Sequence, residues 1–213
     1  MKFRIDLKIV FFLGLFYLTR NLNVYLIIMF FALLHELAHL FCGLILGFKP
    51  EEFEIMPWGF SLNFSPKIED YKKSFMKSNI IEFKYIFVAI AGPLVNLIFV
   101  ILFSNLNSIN INFRQILIYS NFLLFIFNLI PIYPLDGGRI FRSILRICIG
   151  KKFADESMNI IANTSAIILT VVGSIAILYL RNIAILVILA YIWELVIIEN
   201  KKFELKKKIL ELN

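Results

Sequence analysis

The sequence predicts an all-α polytopic membrane protein of six transmembrane segments, with a small membrane-associated β-hairpin after the second. Three observations carry that expectation. Of 213 residues, 60% are hydrophobic and only 17% charged, beyond the apolar share of soluble domains, so a water-soluble globule is excluded. The apolar residues, 23 Phe among them, fall in blocks at about 9–19, 24–47, 85–103, 114–133, 160–180 and 183–198. Most of these approach the roughly 20 residues that cross about 30 Å of hydrocarbon as a helix. If all six cross, every Lys and Arg but Arg20, Arg114 and Arg181 lies on the side of the two termini, which the positive-inside rule makes cytoplasmic. The net charge of +7 then reports topology, and no nucleic-acid partner is expected.

Taken in order, segment 9–19 is the shortest, and needs flanking residues, snorkelling or local thinning to span. A basic start before an apolar stretch also suits a signal peptide, but no small-residue cleavage site follows, so the segment reads as retained. After the second block, Phe53 and Ile55, then Phe60, Leu62 and Phe64, alternate at strand period around Pro57-Trp58-Gly59. Proline in second place and glycine in fourth suit a type I turn, with Trp58 set to enter the membrane interface. The free edge of this hairpin, at Phe60 and Leu62, is a candidate for pairing with extended substrate backbone; a hairpin that only plugs the cytoplasmic opening reads equally well. Residues 67–84 carry mixed charge and read as solvated surface.

The third block contains Ala91-Gly92-Pro93-Leu94-Val95-Asn96, suited to close helix packing around a Gly-Pro kink. Residues 1–198 form one membrane domain in this reading. Residues 199–213 are a short charged cytoplasmic tail whose apolar residues suit an amphipathic helix on an anionic leaflet. Cys42 and Cys148 lack CxxC spacing and read as packing residues.

Ionisable residues inside a span cost about 2.5 to 3.5 kcal/mol each near its centre and need a reason. The second block holds three, in His35-Glu36-Leu37-Ala38-His39, which includes both histidines of the chain. On a helix, positions i and i+4 share a face, so two imidazoles can grip one metal ion while the intervening carboxylate reaches the attacking water. That is the HExxH pattern of zinc metalloproteases, with Glu36 as general base. The alternatives are a polar cluster holding helices together or a proton relay in a transporter.

A catalytic zinc site wants a third protein ligand. Residues 128–139 read Asn128-Leu129-Ile130-Pro131-Ile132-Tyr133-Pro134-Leu135-Asp136-Gly137-Gly138-Arg139. Two prolines break the helix just before a carboxylate, and two glycines permit a sharp turn. Broken backbone at membrane depth belongs where it lines a wet cavity. Asp136 is therefore the candidate third ligand; its alternative is a helix N-cap, and Cys42 is a conceivable but poorer donor.

The HELAH sequence in one span and the later Asn-x-x-Pro-x-x-Pro-Leu-Asp-Gly motif resemble the site-2 protease family of intramembrane zinc metalloproteases, and AGPLVN resembles that family's small-residue segment. The resemblance implies one Zn2+ per chain on His35, His39 and Asp136, with Glu36 activating water. It also implies that Asn128, Pro131, Pro134 and Gly137 shape the site or contact substrate, and Asn128 is a candidate oxyanion donor.

Within the family, NLIPIYPLDGGR is most similar to the sporulation proteases. These imply a bacterial inner membrane around the forespore, a protein substrate in the form of a sigma-factor precursor, and inhibitory or regulatory membrane partners. Better-known forms of that branch continue into a nucleotide-sensing CBS domain where this sequence stops at Asn213, so the resemblance leaves nucleotide regulation open. Cleavage of anti-sigma factors or signal-peptide remnants is the alternative within the class. A non-proteolytic metal or proton transporter, or a scaffold, is the alternative outside it.

Overall fold

The computed structural model describes residues 2–18, 20–56, 59–65, 75–180 and 184–211. The chain divides into two compact units, Met1–Asn128 and Leu129–Asn213.

The first unit runs β1 (Lys2–Ile5), α1 (Lys8–Leu18), α2 (Leu22–Ile45), β2 (Lys49–Met56), β3 (Gly59–Ser65), α3 (Phe75–Asn105) and α4 (Ile111–Asn128). Helices α2, α3 and α4 pack pairwise on one another. In lipid such association rests on close packing rather than on exclusion of water. Aromatic rings supply it here. Phe31 of α2 meets Phe99 and Phe103 of α3 edge-on, at centroid distances of 5.2 and 5.8 Å. Leu117 and Leu124 of α4 join them with Ala32. Edge-to-face pairs contribute about 0.5 to 1.5 kcal/mol each beyond the area they bury.

The expected hairpin is present: β2 and β3 pair antiparallel, Ile55 opposite Phe60 and Phe53 opposite Leu62, with a bulge between Pro50 and Glu52. Its turn residues Pro57 and Trp58 lie outside the described residues, and so do the type I turn and the interfacial placement of Trp58. The sheet has a third strand that the sequence did not announce. Residues Lys2–Ile5 pair parallel with Glu52–Ile55, giving the order β1-β2-β3. Four residues beside a basic N-terminus carry no strand signal of their own, and it is the pairing with β2 that makes them a strand. Both β2 and β3 pack on α2, and Leu62 is 2% exposed.

The mixed-charge segment 67–84 falls partly outside the described residues; from Phe75 onward it is already α3, and Glu82 is buried rather than solvated. The expected six crossings are not matched by six long apolar helices. Among the described residues, three helical stretches are long and apolar enough to cross a membrane: Leu22–Ile45, Asn79–Asn105 and Lys151–Tyr179. Helix α1 has 11 residues, about 16 Å at 1.5 Å per residue. Helix α4 stops at Asn128, three residues before Pro131, whose ring would clash with a continuing turn.

The second unit contains α5 (Asp136–Ile149), α6 (Lys151–Leu180) and α7 (Ala184–Glu211), with α5 on α6 and α6 on α7. Ala154, Ala162 and Ala166 are buried along α6, and small residues of this kind let helix backbones approach. A polar seam joins α6 to α7. Asn159 Nδ2 donates to Asn200 Oδ1 at 2.7 Å, Asn200 Nδ2 to Asn163 Oδ1 at 3.1 Å, and Trp193 Nε1 to Thr170 Oγ1 at 2.9 Å. Residues 199–211 continue α7 without a break. Cys148 is exposed, not a buried packing residue.

Candidate metal centre

In the first unit, Ala32, His35, His39 and Gly43 lie on one buried stripe of α2, with His35 4% and His39 1% exposed. Glu36, one position round the helix, is half-buried. The two imidazoles stand edge to face with Nε2 atoms 3.1 Å apart. Tetrahedral zinc ligands at about 2.0 to 2.1 Å from the metal stand roughly 3.3 Å from one another, so this spacing suits a shared ion.

Helix α3 sets the far side of both rings. His39 Nδ1 donates to the Val88 carbonyl oxygen at 2.7 Å, and His35 Nδ1 donates to Asn96 Oδ1 at 2.9 Å. Val88, Gly92 and Asn96 are spaced i, i+4, i+8, one stripe of α3 turned toward the histidines. With both ring protons on Nδ1, each neutral imidazole keeps its Nε2 lone pair for a metal, the arrangement that partners behind a ligand normally enforce. Two acceptor nitrogens at 3.1 Å repel unless a cation or proton lies between them. Gly92 sits opposite: a Cβ there would overlap both His35 Nε2 and His39 Nε2. The pair and the space kept free beside it fit a soft-to-borderline divalent ion bound through nitrogen.

The candidate carboxylate lies in the second unit. Hydrogen bonds Ile132 N to Ile130 O (2.8 Å) and Leu135 N to Ile132 O (2.9 Å) fold 130–135 into tight turns, with a cis peptide between Tyr133 and Pro134. Asp136, 4% exposed, is the first residue of α5, where the helix dipole favours negative charge. It is therefore not the N-cap of a later helix; Leu135 holds that place and makes no side-chain cap bond. Gly137 and Gly138 do not make the expected sharp turn but lie inside α5. A Cβ on Gly137 would strike the Leu129 and Ile130 carbonyls, and one on Gly138 the Ile132–Tyr133 peptide. Glycine is needed there for backbone contact. Arg139 Nη1 lies 4.0 Å from Asp136 Oδ1.

The remaining candidates are dispersed. Asn128 ends α4 with its Nδ2 donating to Leu124 O at 3.0 Å. Pro131 is half-buried and Pro134 exposed in the turn before α5. Phe60 packs against the Phe31 core and Leu62 is buried, so what these two offer a substrate is the backbone of β3, an edge strand. Cys42 is a half-buried free thiol outside any ligand-type group among the described residues.

Sequence reasoning missed Val88 and Asn96 as partners of the histidines, and also Arg142. The Arg142 guanidinium lies 5.0 Å from the Tyr133 ring centre and bonds Asp155 (3.0 Å) and Glu199 (3.2 Å), beside a cavity of about 200 Å3. The period-four spacing of Val88, Gly92 and Asn96 was the available signal for the first two.

Comparison with known proteins supports the class this geometry suggests. The family model for peptidase family M50 matches residues 104–172. A zinc metalloprotease of Methanocaldococcus jannaschii is 36% identical over 121 residues, which cover 54% of this chain and 32% of that protein. The chain thus spans about a third of the length of the curated relative it matches. The fold resembles the solved site-2 protease from Methanocaldococcus jannaschii with a TM-score of 0.66 and 25% identity, over 93% of this chain and 91% of that one. Together they show a likeness to the peptidase M50, or site-2 protease, family.

Proposed function

We propose that this chain is an intramembrane zinc metalloprotease that hydrolyses a peptide bond within or beside the bilayer, with one zinc ion held by His35, His39 and Asp136. The observation that carries this reading is the histidine pair, with both Nδ1 protons committed to carbonyl oxygens and both Nε2 atoms left facing one another. Asp136 joins them as the third ligand in this reading on the strength of the Asn-x-x-Pro-x-x-Pro-Leu-Asp-Gly motif that resembles the site-2 proteases. When bound, zinc would acidify a water and polarise the scissile carbonyl. Glu36 takes a proton from the attacking water on its carboxylate and returns it to the leaving amine nitrogen. Asn128 turns its amide toward the developing oxyanion, exchanging its bond to Leu124 O for that contact. Pro131, Pro134 and Gly137 hold the turn that presents Asp136. Extended substrate pairs with the open edge of β3 along Phe60 and Leu62, and proline at either position should abolish cleavage while zinc is retained.

The same reading has six crossings and cytoplasmic termini, with the membrane domain at 1–198. Its substrate is a sigma-factor precursor trimmed at its prosequence, held in check by membrane partners, as in stage IV sporulation protein FB, which the NLIPIYPLDGGR wording resembles. Cleavage of other membrane-anchored proteins stands second, favoured by relatives whose names carry no sporulation role.

The test is Glu36→Gln in the full chain, co-expressed with a candidate precursor. Cleavage should fall by about 10²- to 10⁴-fold while bound zinc is unchanged. Undiminished cleavage removes Glu36 from the mechanism, and wild-type protein without zinc overturns the reading as a whole.

A further inference from the structure

The two histidines are not equivalent, and their difference lies in the acceptors behind them. Val88 presents a backbone carbonyl, which can only accept, so the ring proton of neutral His39 stays on Nδ1 with or without metal. Asn96 presents an amide, which can accept through Oδ1 or, turned over, donate through Nδ2. Asn96 is fully buried, and with Oδ1 taken by His35 its Nδ2 has no hydrogen-bond partner among the described residues. A buried amide hydrogen left so is costly, and a purely structural asparagine would be expected to spend it.

We propose that Asn96 is a positioning residue that sets the tautomer of His35; the inference rests on the zinc reading above. With metal bound, Asn96 Oδ1 accepts from His35 Nδ1 and holds the Nε2 lone pair outward. Without metal, the lone pairs 3.1 Å apart are relieved by moving the His35 proton to Nε2, where it is donated to His39 Nε2. The Asn96 amide turns over and donates Nδ2–H to the vacated Nδ1. The ring stays neutral throughout, so no proton is gained or lost by the pair. His39 is the fixed ligand and His35 the adaptable one.

Because the chain has only two histidines, their ring nitrogens are assignable in the 15N spectrum of the full protein in detergent. With zinc, both rings should report Nδ1–H. After chelation His39 should be unchanged and His35 should report Nε2–H. An unchanged His35 overturns the proposal. Asn96→Leu, of similar size but without polar atoms, should weaken zinc by about 10- to 100-fold in chelator competition. Asn96→Asp, which accepts in place of the amide, should bind zinc at least as tightly as wild type. Leu within twofold of wild type, or Asp weakened tenfold, overturns it, and the Asp variant and the spectrum decide the matter if the Leu variant does not fold. Wild-type protein that takes up no zinc instead refutes the underlying reading.

Discussion

The two units keep polar groups in apolar surroundings by opposite means. In the first, the Nδ1 atoms of His35 and His39 are held by neutral oxygens of α3. In the second, the segment leading to Asp136 is tied to α6 and α7 through ions: Arg142 covers Tyr133 and bonds Asp155 and Glu199, and Arg146 adds a second bond to Asp155 at 3.2 Å. The reason follows from location. Inside an apolar helix pair an extra charge carries a heavy desolvation penalty, whereas a carbonyl oxygen is already present and orients a ring without one. In the second unit a planar guanidinium joins α5, α6 and α7 at once, and its charge is matched by two carboxylates.

Three substitutions test how far this contrast goes. The largest effect should come from Gly92→Ala, because a methyl group there overlaps both Nε2 atoms. Zinc content should fall to near zero and cleavage with it, while Gly14→Ala, where nothing lies within 4 Å, should change neither. Retained zinc in the Gly92 variant would mean that the histidines do not meet their ion on that face. Next, Arg142→Met should destabilise the second unit by about 1 to 3 kcal/mol, less than for a fully buried pair because the side chain is 20% exposed. Chemical denaturation in detergent would read it, and an effect below a few tenths would remove the ionic half of the contrast. The smallest should be Arg4→Gln: its 2.8 Å contact with Glu52 lies at the surface, with the arginine side chain 65% exposed, and its loss should cost under about 1 kcal/mol.

Several parts of this structure were legible because their signal is local. His35, Glu36 and His39 share a helix, so spacing alone aligns the imidazoles. The alternation of Phe53, Ile55, Phe60 and Leu62 announced β2 and β3. Other parts were hidden because their meaning depends on a distant partner. Lys2–Ile5 is a strand only by virtue of β2, and Gly137 and Gly138 look like a turn until carbonyls of the preceding loop are seen against them. Glu82 lay in a run of charges and is nonetheless buried.

By itself, then, the order of amino acids determined that the chain is apolar enough to form helices of membrane-crossing length, that two imidazoles and a carboxylate lie within five residues of an apolar helix, and that a proline-broken segment leads to Asp136. Only the tertiary structure decided which oxygens stand behind those imidazoles, since Val88 and Asn96 reach them across 49 and 61 residues. A ring proton goes to whichever nitrogen finds an acceptor, and spacing along one helix cannot say what another helix will bring.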